Sequence, residues 1–315
     1  FCPRIIILDR RKTPGSKYSY RYYKRKNYAM KNRAAPIFIF TIIPKNLISR
    51  LVGFAAGLKL PRFLLDYIIR AYIGHYGVKA EYVIPKGGFK SFDEFFTRRL
   101  RPGVRSINKS GRVAVSPVDA RIDQYGDIRE STLIQAKGVT YSLFDLIPSG
   151  TADTFVNGKF VTLYLSPADY HRIHSPVSGL ITGYFNIPGT LFTVQDYMAA
   201  GLPGLYVKNE RIITYIKCAA GEVAVCKIGA FIVGKVSLSY LDVRTNRLIR
   251  RRHEFFFDDK EHIPVKACDE IGVFHLGSTV ILLFQKDSIT FTDLRIGKKV
   301  RMGNPIGTLH HLEKI

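Results

Sequence analysis

Three short stretches of the 315-residue chain carry residue types suited to chemistry. "VSPVDA" sets Asp119 directly after a Pro-containing turn, and "LYLSPADYHRIHSPVSG" holds Asp169, His171 and His174 between prolines. "FHLGSTVILLF" interrupts a run of core-type residues with Gly277, Ser278 and Thr279, where a buried strand tolerates such a triplet only at a bulge, a close backbone approach or a site. An aspartate, a histidine and a serine remote in sequence suit a base-activated nucleophile, because a serine hydroxyl attacks only when an oriented imidazole takes its proton. Each piece also has a plainer reading. Asp119 fits an Asx-type turn, Asp169 a helix cap, and His275 ordinary packing or surface polarity. His171 and His174 form an HxxH pair, but no third ligand follows at familiar spacing and no metal is expected. Ser278 lacks the GxSxG elbow, which argues against an α/β-hydrolase.

The elements that must position these residues change in texture along the chain. Leu47, Ile48, Leu51, Val52 and Ala55 recur at helical spacing, as do Leu64, Leu65, Ile68, Ile69, Tyr72 and Ile73. Such amphipathic helices with basic flanks either lie in a membrane interface or cap the protein's own core, and both uses need the same stripe. No run approaches the ~20 apolar residues of a spanning helix. Ser91 and Glu94 at capping-box spacing predict a helix that stops before Pro102, and Ser166-Pro167 predict the start of another, short one. Beyond residue 105, closely spaced β-branched and aromatic runs such as "KFVTLYLS", "EVAVCKIGA" and "STVILLF" alternate with Gly, Pro and Asn. The expected fold class is α+β: an N-terminal amphipathic helical segment over residues 30–105, then a β-rich, mainly antiparallel sandwich or barrel-like domain over 106–315.

Lys and Arg number 48 against 25 Asp and Glu, a formal charge of +23 that favours anionic partners such as nucleic acid or acidic lipid. Residues 1–29 read as a basic arm: disordered, transit-like, or upstream of a chain that begins at Met30. Four cysteines without a CxxC pair indicate neither a zinc site nor a disulfide scaffold.

In combination these motifs are recognisable. From about Ile42 onward the chain resembles the phosphatidylserine decarboxylase family of pyruvoyl enzymes, through "FDEFFTRRLRPGVRSI", "VSPVDARI", "IQAKGVTYSLFDLI", "LYLSPADYHRIHSPVSG" and "DEIGVFHLGSTVILLF" in the family's order. Ala120 departs from it, standing where the family usually has Gly.

The resemblance implies that the precursor cuts itself between Gly277 and Ser278. Ser278 Oγ attacks the Gly277 carbonyl, β-elimination breaks the chain, and residue 278 becomes a covalent pyruvoyl group, the cofactor. His174 is implied as the base that activates Ser278 and Asp119 as the group that orients its imidazolium. The pyruvoyl ketone is then expected to form a Schiff base with phosphatidylserine and release carbon dioxide, giving phosphatidylethanolamine. His171 is the candidate proton donor, on the expectation that it titrates near working pH, and Asp169 tunes it or caps the short helix. Expected partners are phosphatidylserine, an anionic membrane surface, and the two cleavage fragments held as a heterodimer that dimerises further in some settings. The expected location is peripheral, at the bacterial cytoplasmic membrane or alternatively the mitochondrial inner membrane. One rival is a serine hydrolase using Asp119, His174 and Ser278; nucleic-acid binding, the reading from charge alone, lacks a motif.

Overall fold

The computed structural model of the chain describes residues 42–107, 111–136, 138–232, 235–248 and 251–310, excluding the side chain of Ser278. The basic arm 1–29, the start at Met30 and residues 30–41 of the helical segment lie outside the described residues. Ile43–Ile315 form one compact unit, and the change of texture near residue 105 falls inside it.

The two amphipathic runs become α1 (Lys45–Gly57) and α2 (Arg62–Tyr76). Pro44 and Pro61 precede them, and α2 ends on Gly77 in the left-handed region, whose N–H reaches back to the Ile73 carbonyl at 2.8 Å. The capping-box helix is α3 (Phe92–Phe96), with Ser91 Oγ accepting from Glu94 N at 3.1 Å. It stops well short of Pro102. Leu100 pairs with Tyr82, so the chain must extend, and Arg98 turns inward to bind the carbonyls of Ala168 and Asp169 at 2.9 and 3.0 Å.

Seventeen strands follow among the described residues. The first nine are β1 (Val113–Val115), β2 (Ala120–Asp127), β3 (Thr132–Ala136), β4 (Val139–Ser142), β5 (Lys159–Leu165), β6 (Arg172–His174), β7 (Gly179–Ile187), β8 (Arg211–Cys218) and β9 (Gly221–Ile228). The rest are β10 (Lys235–Leu238), β11 (His253–Phe256), β12 (Ile263–Val265), β13 (Glu270–His275), β14 (Ser278–Phe284), β15 (Ile289–Phe291), β16 (Lys299–Val300) and β17 (Pro305–Leu309). The main sheet runs β11-β7-β8-β9-β14-β5-β2-β16, with β12 also on β7; two three-stranded sheets, β10-β13-β6 and β1-β17-β15, and the hairpin β3-β4 complete the set. Every ladder between these strands is antiparallel.

The core explains why β14 reads as an unbroken apolar run instead of an alternating one. Val280, Leu282 and Phe284 join one cluster with Ile173 of β6, Val236 of β10, Ile271 and Phe274 of β13 and Ile306 of β17, so one face of the main sheet lies under both smaller sheets. Ile281 and Leu283 point the other way and are equally buried. A strand covered on both faces has no use for polar alternation. One buried residue breaks the pattern: Lys227, paired with Val280 across β9 and β14, donates to Thr214 Oγ1 and to the Val225 carbonyl. Burial pushes its ammonium down to about 7.

The helices use their stripes unexpectedly. On α1 the inward face is Lys45, Ser49 and Ala56, with Ser49 Oγ accepting from Ile232 N at 3.0 Å, whereas Leu47, Leu51 and Phe54 are 54%, 60% and 69% exposed. On α2, Leu65 and Ile69 pack with Phe95 while Phe63 and Tyr67 face outward. Among the described residues no helix is long and apolar enough to cross a membrane.

Candidate functional site

The chain passes from β13 in a small sheet to β14 in the middle of the main sheet, and it does so in two residues. Leu276 (φ 85°) and Gly277 (φ 48°) both lie in left-handed territory, and Ser278 then pairs with Leu165 of β5. For leucine this conformation costs roughly 1–2 kcal/mol, which the sheets on either side must impose. A Cβ on Gly277 would meet no atom within 4 Å beyond its chain neighbours, so its backbone angle, and not crowding, is what favours glycine there. Thr279, the next residue, is buried with its hydroxyl unpartnered among the described residues.

His174 closes β6, with its N–H on the Pro117 carbonyl at 2.9 Å. Its Nδ1 lies 2.7 Å from the Cys268 carbonyl oxygen, which only accepts, so Nδ1 carries the proton and Nε2 keeps the lone pair. The Tyr170 hydroxyl donates to Nε2 at 3.0 Å, and the two rings stack at 5.6 Å. Burial lowers the imidazole's pKa, with the Cys268 carbonyl and nearby carboxylates opposing it. The ring is therefore held neutral with its basic nitrogen defined, the state a general base needs.

Asp119 follows a turn in which Ser116 Oγ donates to the Val118 carbonyl at 2.7 Å. Its Oδ1 accepts from Met302 N at 2.8 Å and from Arg105 Nε at 3.1 Å, and its Oδ2 pairs with Arg105 Nη2. Arg105 also grips Glu81 at 2.7 Å, tying the helical segment to the β-rich part. The turn reaches His174 through the Pro117 carbonyl, while the Asp119 carboxylate acts on that imidazole through its field and not through a hydrogen bond.

Residues 166–169 form a turn, not the short helix expected from Ser166-Pro167, because the chain enters β6 only three residues later. Asp169 Oδ2 caps the turn by accepting from Ser166 N and Ser166 Oγ, each at 2.7 Å. Burial raises this carboxyl's pKa, against the two Ser166 bonds. His171 is completely buried, its ring 4.0 Å from that of Phe96, and neither nitrogen has a partner among the described residues. Burial, then the Arg98 charge, pushes its pKa well below the ordinary imidazole value. The expectation that it titrates near neutrality is thus corrected: the ring is neutral, and any proton it donates comes from a neutral N–H.

His275, read from sequence as packing or surface polarity, is held on both sides. Asp93 of α3 binds Nδ1 at 2.8 Å and Ser237 of β10 lies 3.1 Å from Nε2. This links the helical segment to the strand that leads into Gly277. A cavity of about 910 Å³ opens beside it, lined by Lys235, Arg244, Arg251, Phe54, Asn186 and His275 among others. A second, of about 180 Å³, lies beside Asp119, Asp169 and Tyr170. Tyr170, Arg105 and the Cys268 carbonyl escape sequence reasoning; Tyr170, four residues before His174, is the one with a local signal.

A family model described as phosphatidylserine decarboxylase matches residues 92–308. Among similar proteins, one from Myxococcus xanthus is 37% identical over 277 residues, covering 86% of this chain and 97% of its own. One from Vibrio cholerae is 38% identical over 272 residues, 84% of this chain and 94% of its own, and one from Alteromonas mediterranea is 35% identical over 274 residues, 85% and 84%. All three are named phosphatidylserine decarboxylase proenzyme.

Proposed function

The chain belongs to the phosphatidylserine decarboxylase family, and from that premise we propose that it cuts itself between Gly277 and Ser278 and uses the pyruvoyl group so formed to convert phosphatidylserine to phosphatidylethanolamine. The observation that carries this reading is the left-handed pair Leu276–Gly277 directly ahead of a hydroxyl residue that opens a strand laddered on both sides inside the main sheet. A peptide held rigidly in a strained turn is disposed to give way to the neighbouring hydroxyl.

In the proposed self-processing, His174 Nε2 takes the Ser278 hydroxyl proton, Tyr170 yielding its place there, and Oγ adds to the Gly277 carbonyl carbon. His174 passes that proton to the Ser278 nitrogen as the C–N bond breaks, and an ester links residues 277 and 278. Removal of the Ser278 Cα proton then expels the Gly277 carboxylate from Cβ, leaving a dehydroalanine. Its imine tautomer takes up water and releases ammonia, leaving a ketone. The Cys268 carbonyl favours His174 as it becomes charged, and the nearby Asp119 carboxylate adds its field.

The residues present fit a small carbonyl group at 278: β5 and β9 hold its strand on both sides, and the strand's following residues are buried on both faces, so such a group would be rigidly placed. Such a group supplies an electrophilic carbonyl and an electron sink for the carboxylate that departs. His171 is proposed to return a proton at the carbon the carboxylate leaves, and its apolar surroundings keep water from competing.

The substrate's acyl chains stay in the bilayer, since each CH₂ drawn into water costs about 0.8 kcal/mol. The outward rows on α1 and α2 support a peripheral docking surface that brings the enzyme to the lipid. The test is a denaturing gel with intact-mass measurement of the purified protein beside Ser278→Ala. Two fragments from the wild type and one full-length chain from the variant are expected. A single wild-type chain whose Ser278 labels with a fluorophosphonate would instead favour the serine hydrolase.

A further inference from the structure

The strand β10 meets β13 with Lys235 directly opposite His275, two residues before Gly277, and the larger cavity opens over this pair. Its lining is unbalanced in charge. Arg50, Lys235, Arg244, Arg247 and Arg251 face it against two carboxylates, Asp93 and Glu210, both engaged: Asp93 binds His275, and Glu210 accepts from Asn246 N at 2.8 Å. Arg50 is spent on the Asn246 and Arg247 carbonyls at 3.2 and 2.7 Å. Lys235, Arg244, Arg247 and Arg251 make no side-chain hydrogen bond or ion pair among the described residues. Asn186 adds a buried amide oxygen without a partner among the described residues. At the rim stand two of the most exposed apolar side chains, Phe54 at 69% and Leu248 at 84%. Cations inside and apolar groups at the mouth make a cavity shaped for an anionic head with an apolar tail.

We propose that this cavity seats the glycerophosphate part of a phospholipid headgroup, with Lys235 and Arg244 gripping the phosphate and Phe54 and Leu248 meeting the start of the acyl chains. The assignment rests on the decarboxylase reading and specifies where that substrate lies. Position supports it. A directly opposed antiparallel pair stands about 5 Å apart, so the Lys235 ammonium works within roughly one headgroup length of the strand entering Gly277.

The chemistry decides which anion the cations hold. A cation fixed on the carboxylate would stabilise the charge that must be lost and slow the reaction. One fixed on the phosphate holds substrate, transition state and product alike, and so lowers KM without altering kcat. The cavity is thus a binding subsite whose grip survives the reaction, and phosphatidylethanolamine competes for it.

The test uses the processed, full-length enzyme with phosphatidylserine at low mole fraction in mixed micelles of a neutral detergent, where the interface carries little charge and the control variant reports what attraction is left. Lys235→Gln/Arg244→Gln is compared with Lys286→Gln/Arg295→Gln, which removes the same charge from exposed positions near the far end of β14. Loss of two charge-assisted contacts is expected to raise KM at least about tenfold in the first variant only, with kcat within twofold and self-processing unchanged. Glycerophosphoethanolamine is expected to compete in the wild type and to lose potency in that variant, while inorganic phosphate at equal concentration has little effect. An unchanged KM, an equal rise in both variants, a fall in kcat at constant KM, or equal inhibition by inorganic phosphate each overturns the proposal. Carbon dioxide release by the wild type keeps the two readings apart: without it the decarboxylase reading fails, and with it a KM that does not move sinks this subsite alone.

Discussion

Replacing Leu47, Leu51 and Phe54 together by Gln asks what the outward row of α1 is for. These side chains are 54%, 60% and 69% exposed, and the helix packs through Ser49 and Ala56 on its other side. The three leave on the order of 350 Å² of surface in water, about 9 kcal/mol if all of it were dehydrated. An interfacial helix sinks one face only, so about 4 kcal/mol is a working figure for docking. At 1.4 kcal/mol per tenfold, vesicle affinity should fall by about 10³. The fold should be indifferent, because Gln nearly matches Leu in helix propensity and no buried contact is lost. Sedimentation with vesicles containing anionic lipid measures the partition, with the melting temperature and the extent of self-processing as controls. Unchanged partition in a folded, processed variant would refute the docking role of α1, leaving its exposed leucines as mere surface.

His171→Leu removes a buried imidazole whose nitrogens have no well-formed hydrogen bond among the described residues, so the protein should lose no stability and gain up to about 1–3 kcal/mol while losing decarboxylation and keeping self-processing; calorimetry beside a carbon dioxide assay checks both. Since burial lowers the pKa of His174, self-processing of fresh precursor should hold its rate as pH falls through the ordinary imidazole value of about 6.5 and decline only below it, and a midpoint at or above that value contradicts the assignment. Lys227, pushed down to about 7, leaves the unfolded chain binding the extra proton between there and its usual value, so stability should rise with pH over that window. Lys227→Met should flatten that slope and add a few kcal/mol near pH 7, read by denaturant titration at several pH values. Gly277→Ala should fold with a loss of about 1–2 kcal/mol, because only its positive φ resists a side chain, and should process at least tenfold more slowly on a time-course gel.

The α+β class and the antiparallel sheets were legible because strand runs and turn residues alternate so regularly beyond residue 105. The stretches on which the proposal rests stood out too, since Asp119, His171, His174 and Ser278 each sit in a conspicuous local pattern. What joins them was not. Asp93 meets His275 across 182 residues, and no spacing rule reaches that far. His174 is oriented by a backbone carbonyl, which carries no residue signature. Periodicity located the stripe of α1 but not its direction, because Ser49 is buried for a hydrogen bond while the leucines are left outside. The turn at 166–169 misled because Asp169 caps back to Ser166, a local bond that serves a turn as well as a helix.

The placement of β14 has a further consequence. It is laddered by seven residue pairs to β5 on one side and six to β9 on the other, and the side chains of residues 279–284 are buried. The proposed scission at its first residue would sever the polypeptide without loosening the strand, so the short piece would stay trapped in the middle of the long one. Renaturation of the precursor is a unimolecular event, whereas two severed pieces must find each other in solution, at a rate that falls with dilution. Under the proposed self-processing, maturation would in that sense be a one-way door, with a denatured mature molecule harder to restore than its precursor.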